Sequence, residues 1–581
     1  MTLLFFHLCA FVHLALAQLT LPDPPFLPPS PEDASKPTGS DSIPNEQWSN
    51  LLGNLVYYYD EQRSGKLPAS NRVDWRNDSS LDDGQDMGLD LSGGYYDAGD
   101  YIKATYPLSF TLMSICWGAM EYGKGYDLAN QTPYLDSMLR WGLDWLMLAH
   151  PDDRTLIILV GNPETDDDYW GGDRDIPTPR FSYPINDTHP GTDAAAGASA
   201  AFSACSALYS GRKFSSSPSG PASLQDKSYA STLLTHAKTL YDFAENASGG
   251  QTLYQNSVPT IARSYPSSDY HDELTMAALF LAVATNSADY YNQAENYYKN
   301  SQIDKDDTFN WDTKTPGIVV LFSKFASSNP DIGGDFSRWQ GEAEKYFDGI
   351  VNGKSGSLTD GGLLYYEGDS DDASLNPALS AAMLLNMYSP LASSDDKSSA
   401  YTSFATSQLN YALGQNPMSC MYIVGSSPNS PKNPHSAISS GGNDVSKIDT
   451  EPPEEAYILF GSIVGGPDKQ DRYYDIRSDW PETEPGLDIN SPMLTLAALH
   501  VMNDSSDPFY TTLDPGAYDA AKPSGKPCDE AFPCDKSIGR LSKGKAAAIA
   551  IIIIVVGLGI IGGFLYWSRL SRKHKKNPKK Y

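Results

Sequence analysis

The sequence predicts an all-α domain over residues 46–510, with one transmembrane helix behind it. Apolar residues recur at i, i+3, i+4 and i+7 in about a dozen stretches, the period of helices that bury one face. No run alternates apolar and polar residues as a half-buried strand does. Ala546–Trp567 is uncharged for 22 residues, long enough at ~1.5 Å per residue to span a ~30 Å hydrocarbon layer.

Read from the N-terminus, Met1–Ala17 is apolar and ends in Ala15-Leu16-Ala17, the small-x-small pattern of a signal peptide cleaved before Gln18. Residues 18–45 hold Pro22, Pro24, Pro25, Pro28, Pro29, Pro31, Pro37 and Pro44 among polar residues, which reads as an extended linker. In the main domain the helical period is plain at Leu274, Ala277, Ala278 and Leu281, and again at Leu135, Met138-Leu139, Gly142, Trp145-Leu146 and Ala149. Similar stretches cover 108–118, 193–209, 229–243, 317–325, 338–347, 377–388, 403–413, 455–464 and 492–502. That many helices joined by irregular loops suits a closed double ring with its loops gathered at one end. Residues 511–545 read as a stalk. The tail, Ser568–Tyr581, carries seven basic residues and no acidic one, which favours the cytosolic side. The expected topology is single-pass type I, with the main domain extracellular or in the secretory lumen.

The charge balance narrows the partners. Lys and Arg number 42 against 72 Asp and Glu, a formal charge of −30, and a nucleic-acid partner would need the opposite sign. With 36 Tyr, 10 Trp and 40% hydrophobic residues the chain has the material for a large core. Cys528 and Cys534 bracket a short loop that an oxidising compartment can close, whereas Cys116, Cys205 and Cys420 sit in apolar surroundings and read as core packing. Sequons at Asn77, Asn130, Asn186, Asn246 and Asn503 suit a glycosylated surface domain.

Two acidic, aromatic-rich loops stand at opposite ends of the main domain. The first is Gly93-Gly94-Tyr95-Tyr96-Asp97-Ala98-Gly99-Asp100-Tyr101; the second runs from Tyr473 to Ser491 and holds Asp475, Trp480, Glu484 and Asn490. Cleaving a glycosidic bond takes one carboxylate to activate water and one carboxylic acid to protonate the departing oxygen, while aromatic faces stack on sugar rings. Both loops supply these groups.

In their order along the chain these motifs resemble glycoside hydrolase family 9, the inverting endo-β-1,4-glucanases. The resemblance starts at Gln62-Arg63-Ser64-Gly65-Lys66-Leu67-Pro68 and passes through the first loop, Tyr270-His271-Asp272-Glu273-Leu274 and Trp311-Asp312-Thr313-Lys314. It continues at Leu413-Gly414-Gln415-Asn416-Pro417, Pro434-His435, Gly465-Gly466-Pro467-Asp468 and the second loop. It implies an (α/α)6 barrel that hydrolyses internal β-1,4 bonds of cellulose or related β-glucans with inversion and requires no cofactor. Asp100 matches the general base, Asp97 its partner in holding the water, and Glu484 the general acid. Tyr96, Trp170, His435 and Asn490 are the implied substrate-lining residues, and Asp475, grouped with them, a structural carboxylate. Ser268, Asp269, Asp272 and Glu273 stand where some members bind a structural Ca2+, an ion that takes oxygen ligands.

The chain also departs from the pattern. The family's His-x-Arg reads His435-Ser436-Ala437, so a guanidinium that contacts sugar is missing. Gly361-Gly362-Leu363 is followed by Leu364-Tyr365-Tyr366-Glu367, without the usual Arg and Trp, and a stretch expected to hold a His reads Asp166-Asp167-Asp168-Tyr169-Trp170. The alternatives are a hydrolase of another β-linked glycan on the same barrel and a non-catalytic glycan-binding surface protein. The retained Asp97, Asp100 and Glu484 count against the second. The expected partners are a β-glucan and a membrane, the latter through the C-terminal helix.

Overall fold

The computed structural model describes residues 18–39, 41–301 and 308–534. Among these, twelve helices have 13 residues or more: α1 Glu46–Glu61, α2 Thr105–Glu121, α3 Thr132–Leu148, α4 Thr192–Tyr209, α5 Lys227–Asn246, α6 His271–Thr285, α7 Ala288–Asn300, α8 Thr315–Ser328, α9 Phe336–Val351, α10 Leu375–Tyr388, α11 Asp395–Ala412 and α12 Leu487–Asn503. The even-numbered helices pack each against the next, and α12 returns to α2, which closes a ring. The odd-numbered helices lie outside it, as α1 on α12, α5 on α4, α7 on α6, α9 on α8 and α11 on α10. This is the arrangement of an (α/α)6 barrel.

Burial explains which helices go inside. Every residue of α2 and of α4 is buried, while α7 buries only Tyr291, Ala294 and Tyr298. Small side chains let the inner helices approach: a Cβ on Gly118 of α2 would lie 1.9 Å from Thr495 Oγ1 of α12. A Cys116–Cys205 disulfide joins α2 to α4, so these two cysteines are covalently paired rather than merely packed. A separation of 89 residues hid the pairing from a reading of local sequence.

The inner helices begin at one end of the ring. Tyr106, in the first turn of α2, donates to Glu273 in the first turn of α6 at 2.6 Å, and the N–H of Lys314, just before α8, donates to Asp272 at 2.9 Å. Asn376 of α10 likewise donates to Asp488 of α12 at 2.8 Å. At the other end Glu121, the last residue of α2, pairs with Lys324 of α8 at 3.0 Å. The loops that precede the inner helices therefore meet on one face.

Several expectations change. Residues 455–464 are irregular rather than helical; Gly461 has φ +79°, and isolated bridges tie Ile423 to Ile463 and Val464 to Pro485. The α1 and α7 helices, absent from the periodic stretches, complete the twelve. Short strands also occur: Lys103–Ala104, Thr155–Val160 and Ser182–Asn186 form an antiparallel sheet at the loop face, with Thr155–Val160 in the middle. From Leu156 to Val160 that strand is continuously apolar, and all five residues are buried.

The expected linker is extended but fastened. Leu19 N–H donates to Asp136 at 2.7 Å, Phe26 N–H to the Tyr134 hydroxyl at 2.6 Å, and Phe26 carbonyl accepts from Arg72 at 3.1 Å. The first part of the expected stalk also belongs to the barrel unit, which extends to Pro527. Tyr518 is buried there and Lys522 pairs with Asp475 at 3.2 Å. The short described segment from Cys528 is closed by the Cys528–Cys534 disulfide. Among the described residues no helix is long and apolar enough to cross a membrane; the signal stretch, the 546–567 span and the basic tail lie outside them.

Candidate active site

The first acidic loop turns sharply just before the strand Lys103–Ala104, which runs directly into α2. Asp97 N–H donates to Ile102 carbonyl at 3.1 Å, and Gln62 Nε2 donates to Ala98 carbonyl at 2.6 Å. Beneath the turn, Lys103 Nζ donates to the carbonyls of Leu91 and Gly93 at 2.9 and 2.8 Å. Asp97 carbonyl accepts from Leu487 N–H at 3.1 Å, which ties this loop to the first turn of α12. Glu484, three residues before α12, closes a short helical turn and sends its Oε1 to the N–H of Gly99 at 3.0 Å.

A third segment completes the site. Gly99 carbonyl accepts from Ala437 N–H at 2.9 Å, and His435 N–H donates to Thr483 carbonyl at 3.0 Å. A Cβ on Gly99 would sit 2.1 Å from His435 carbonyl and 3.0 Å from Glu484 Oε1, so only glycine lets the three segments close. One side-chain atom each of Asp100, His435 and Glu484 then lies within 4.8 Å of the others, all three half-buried. His435 Nδ1 donates to Arg477 carbonyl at 2.7 Å, which leaves Nε2 as the acceptor of a neutral ring. Burial lowers the pKa of His435 and favours that neutral form.

Charge at the site is one-sided. Among the described residues no Lys or Arg forms an ion pair with Asp97, Asp100 or Glu484. Burial pushes Asp97 and Asp100 well above the usual carboxylate range, with Glu484 and Asp166 adding repulsion in both cases. Glu484 rises to about 7, mainly through burial, against the opposing N–H of Gly99. Asp166 and Asp488 are each raised to about 6, again mainly by burial. Such a site holds protons near neutrality and can donate one to a leaving oxygen.

A family model described as glycosyl hydrolase family 9 matches residues 48–497. The chain belongs to this family. An endoglucanase of Phaseolus vulgaris is 34% identical over 488 residues, covering 79% of this chain and 92% of that protein. Endoglucanase 13 of Arabidopsis thaliana is 35% identical over 482 residues, covering 78% and 93%. Among solved structures, the endoglucanase of the termite Nasutitermes takasagoensis superposes with a TM-score of 0.70 at 32% identity, covering 78% of this chain and 98% of the termite chain. The protein is a glycoside hydrolase of the endoglucanase group, and it acts on internal β-1,4-glucan bonds.

Within this family-9 frame the residues expected to line the substrate separate into two groups. His435 stands with the acids. Tyr96 is buried, its hydroxyl 2.8 Å from the hydroxyls of Ser79 and Ser80, and Trp170 is buried with its ring 5.0 Å from that of His435. Asn490 accepts from Ile463 N–H at 2.7 Å and donates to Gly461 carbonyl at 3.1 Å. Asp475 accepts the N–H groups of Lys432 and Asn433, at 3.1 and 2.9 Å, and so carries the segment that leads to His435. These four side chains are buried and engaged in contacts within the protein.

Three contributors lacked a sequence assignment. Tyr265 donates its hydroxyl to Asp97 from 168 residues away, and no local pattern announces it. Asp166 Oδ2 accepts the N–H groups of Tyr101 and Ile102, both at 2.8 Å. Its acidic run was the available signal. Asp488 repels both Asp97 and Glu484 from the first turn of α12. The altered stretch after Gly362 lines a cavity of about 610 Å³ with Asp312, Tyr365, Tyr366, Glu367 and Lys469.

The calcium set fits in part. Asp272 Oδ1 and Glu273 Oε2 are buried without a hydrogen-bond partner, which a cation beside them would satisfy. Asp269 is committed elsewhere, its Oδ1 taking His271 Nδ1 and the N–H of Tyr270 at 2.7 Å each, and Ser268 meets Asp312 through its N–H at 2.8 Å. Glu273 Oε1 already takes Lys314 Nζ at 2.5 Å.

Proposed function

We propose that the chain cleaves cellulose or a related β-1,4-glucan with inversion, using Glu484 as general acid, Asp100 as general base and Asp97 to hold the attacking water. The observation that carries this reading is the convergence of Asp100, His435 and Glu484 through the Gly99 contacts, with Glu484 raised to about 7. Protonated Glu484 gives its proton to the glycosidic oxygen as the bond to C1 breaks. Asp100 takes a proton from the water that attacks the opposite face, a role open to it in the state where it is ionised and the proton of the acidic cluster sits on Glu484. Asp97, braced by Tyr265, orients that water, and neutral His435 offers Nε2 as an acceptor for a sugar hydroxyl. An inverting pair works with its carboxyls ~6.5–9.5 Å apart, which leaves room for the attacking water.

An endoglucanase of Clostridium thermocellum solved with cellotetraose, TM-score 0.66 at 26% identity and covering 79% of this chain and 71% of that one, supports a β-1,4-linked oligosaccharide as ligand. Ala437 and the Tyr365-Tyr366-Glu367 cavity favour a substrate range that departs from the family's usual one. The deciding experiment follows the first product by NMR on soluble β-1,4-, mixed-linkage and β-1,3-glucans. The α-anomer should appear first on the β-1,4 substrate; early β-anomer would overturn inversion. Calcium, when bound by Asp272 and Glu273, would supply structural charge compensation at the start of α6.

We also infer that the signal is removed before Gln18, that 546–567 spans a membrane, and that the tail is cytosolic. The apolar run, the basic tail and exposed sequons at Asn130, Asn246 and Asn503 support this orientation. Antibody labelling of an epitope placed after Tyr581 on unpermeabilised cells would overturn it.

A further inference from the structure

Asp97 and Asp100 are three residues apart, yet different parts of the chain hold them. Asp97 takes the Tyr265 hydroxyl, and Tyr265 lies two residues beyond the helical turn Pro259–Arg263. The backbone leaving Asp100 is held by Asp166, which accepts the N–H groups of Tyr101 and Ile102 from the short helix Pro163–Asp167. A charge contact bridges the two supports: Arg263 Nη2 donates to Asp167 Oδ2, and Nη1 lies 3.9 Å from Glu164 Oε1. Asp167 falls in a stretch where the chain departs from its family.

We propose that the Arg263–Asp167 ion pair is a strap that sets the spacing of Asp97 and Asp100, making Arg263 a positioning residue for the water-activating pair. The inference rests on the roles given above to those two carboxylates. An exposed pair adds little to folding, because solvent screens it and two side chains must be ordered to form it. Its leverage is geometric. Each partner sits within two residues of the group that holds one carboxylate, and a small misplacement of a reacting group costs rate steeply. The side chains are 53% and 44% exposed, so added salt reaches the strap directly.

The test uses the full chain with Arg263→Gln, Arg263→Lys, Asp167→Asn and the double variant Arg263→Gln/Asp167→Asn, each assayed on cellotetraose at its own pH optimum. Arg263→Gln and Asp167→Asn should each lower kcat about fivefold with KM within about twofold of wild type, and the double variant should lose no more than either single. Arg263→Lys should retain most of kcat, since it restores the charge. Raising NaCl from about 0.05 to about 0.5 M should bring wild-type kcat toward that of Arg263→Gln and leave that variant unmoved. Losses that multiply in the double variant, a loss carried by KM, no rescue by lysine, or equal salt slopes would each overturn the strap. Glu484→Gln assayed alongside separates the two levels: full activity there means the site assignment is wrong, whatever the strap variants do.

Discussion

Both ends of the barrel bury carboxylates, but among the described residues the five around the catalytic loops have no Lys or Arg paired with them. At the end where α2 finishes, Glu121 is fully buried against Lys324 at 3.0 Å. At the end where α2 begins, Asp97, Asp100, Asp166, Glu484 and Asp488 crowd together, and burial drives each toward its protonated form. The first arrangement neutralises charge by pairing and serves the fold. The second neutralises it with protons, which leaves groups able to give and take them. None of the six inner helices has a side-chain N-cap, whereas α1, α5, α9 and α11 outside are capped by Asn45, Asp226, Asp335 and Ser394. The inner N-termini, the positive ends of their dipoles, thus lie on the acidic face and temper its charge without providing a mobile counter-ion.

The contrast breaks most visibly through Glu484, the proposed general acid. Glu484→Gln should lower kcat by about 100- to 10,000-fold and leave the circular dichroism spectrum intact, because the amide keeps the shape and loses the proton. Lys324→Met should do the reverse. It strands Glu121 in the core and should cost about 3–5 kcal/mol in denaturant titration, with kcat per folded molecule unchanged. Pairing it with Glu121→Gln should recover most of that loss.

A subtler test reads protons. Glu484 has a folded pKa of about 7, above the ordinary glutamate value of 4.5, so the folded state binds its proton more tightly. Its contribution to stability is complete below about pH 4.5 and is lost as pH rises through about 7. Melting temperature should therefore fall over that window, and Glu484→Gln should flatten the decline; kcat should fall on the same limb as the acid ionises. The smallest effect belongs to the α6 terminus, where added millimolar Ca2+ should raise the melting temperature of EGTA-treated protein and Asp272→Asn should abolish the rise.

These residues differ in how far they could be read in advance. Asp97, Asp100 and Glu484 could be singled out because chemistry fixes their type and the family order their place, and the structure brings Asp100 and Glu484 together. Inner helices such as α4 and α6 were legible because apolar and small residues fill them. The outer α7 was not, since it leans on two tyrosines and an alanine. The stretch 455–464 imitates a helix in its apolar spacing, but Gly461 adopts a left-handed φ and the chain bridges to its neighbours instead. Tyr96, Trp170 and Asn490 are buried in the structure, which their place in the sequence does not report. Tyr265 reaches Asp97 only because the ring closes.

The fastening of residues 18–39 decides how the enzyme can be cut for the bench. The family match begins at residue 48, a natural place to start a recombinant fragment. That fragment would be made without Phe26, whose ring lies against Gly53 and whose carbonyl takes the Arg72 guanidinium, and without Leu19, whose N–H reaches Asp136. It would expose an apolar stripe of α1 and invite precipitation during expression. A fragment from Gln18 to Pro527 keeps those contacts, along with the Lys522–Asp475 pair at the other terminus, and is the form to express for crystals.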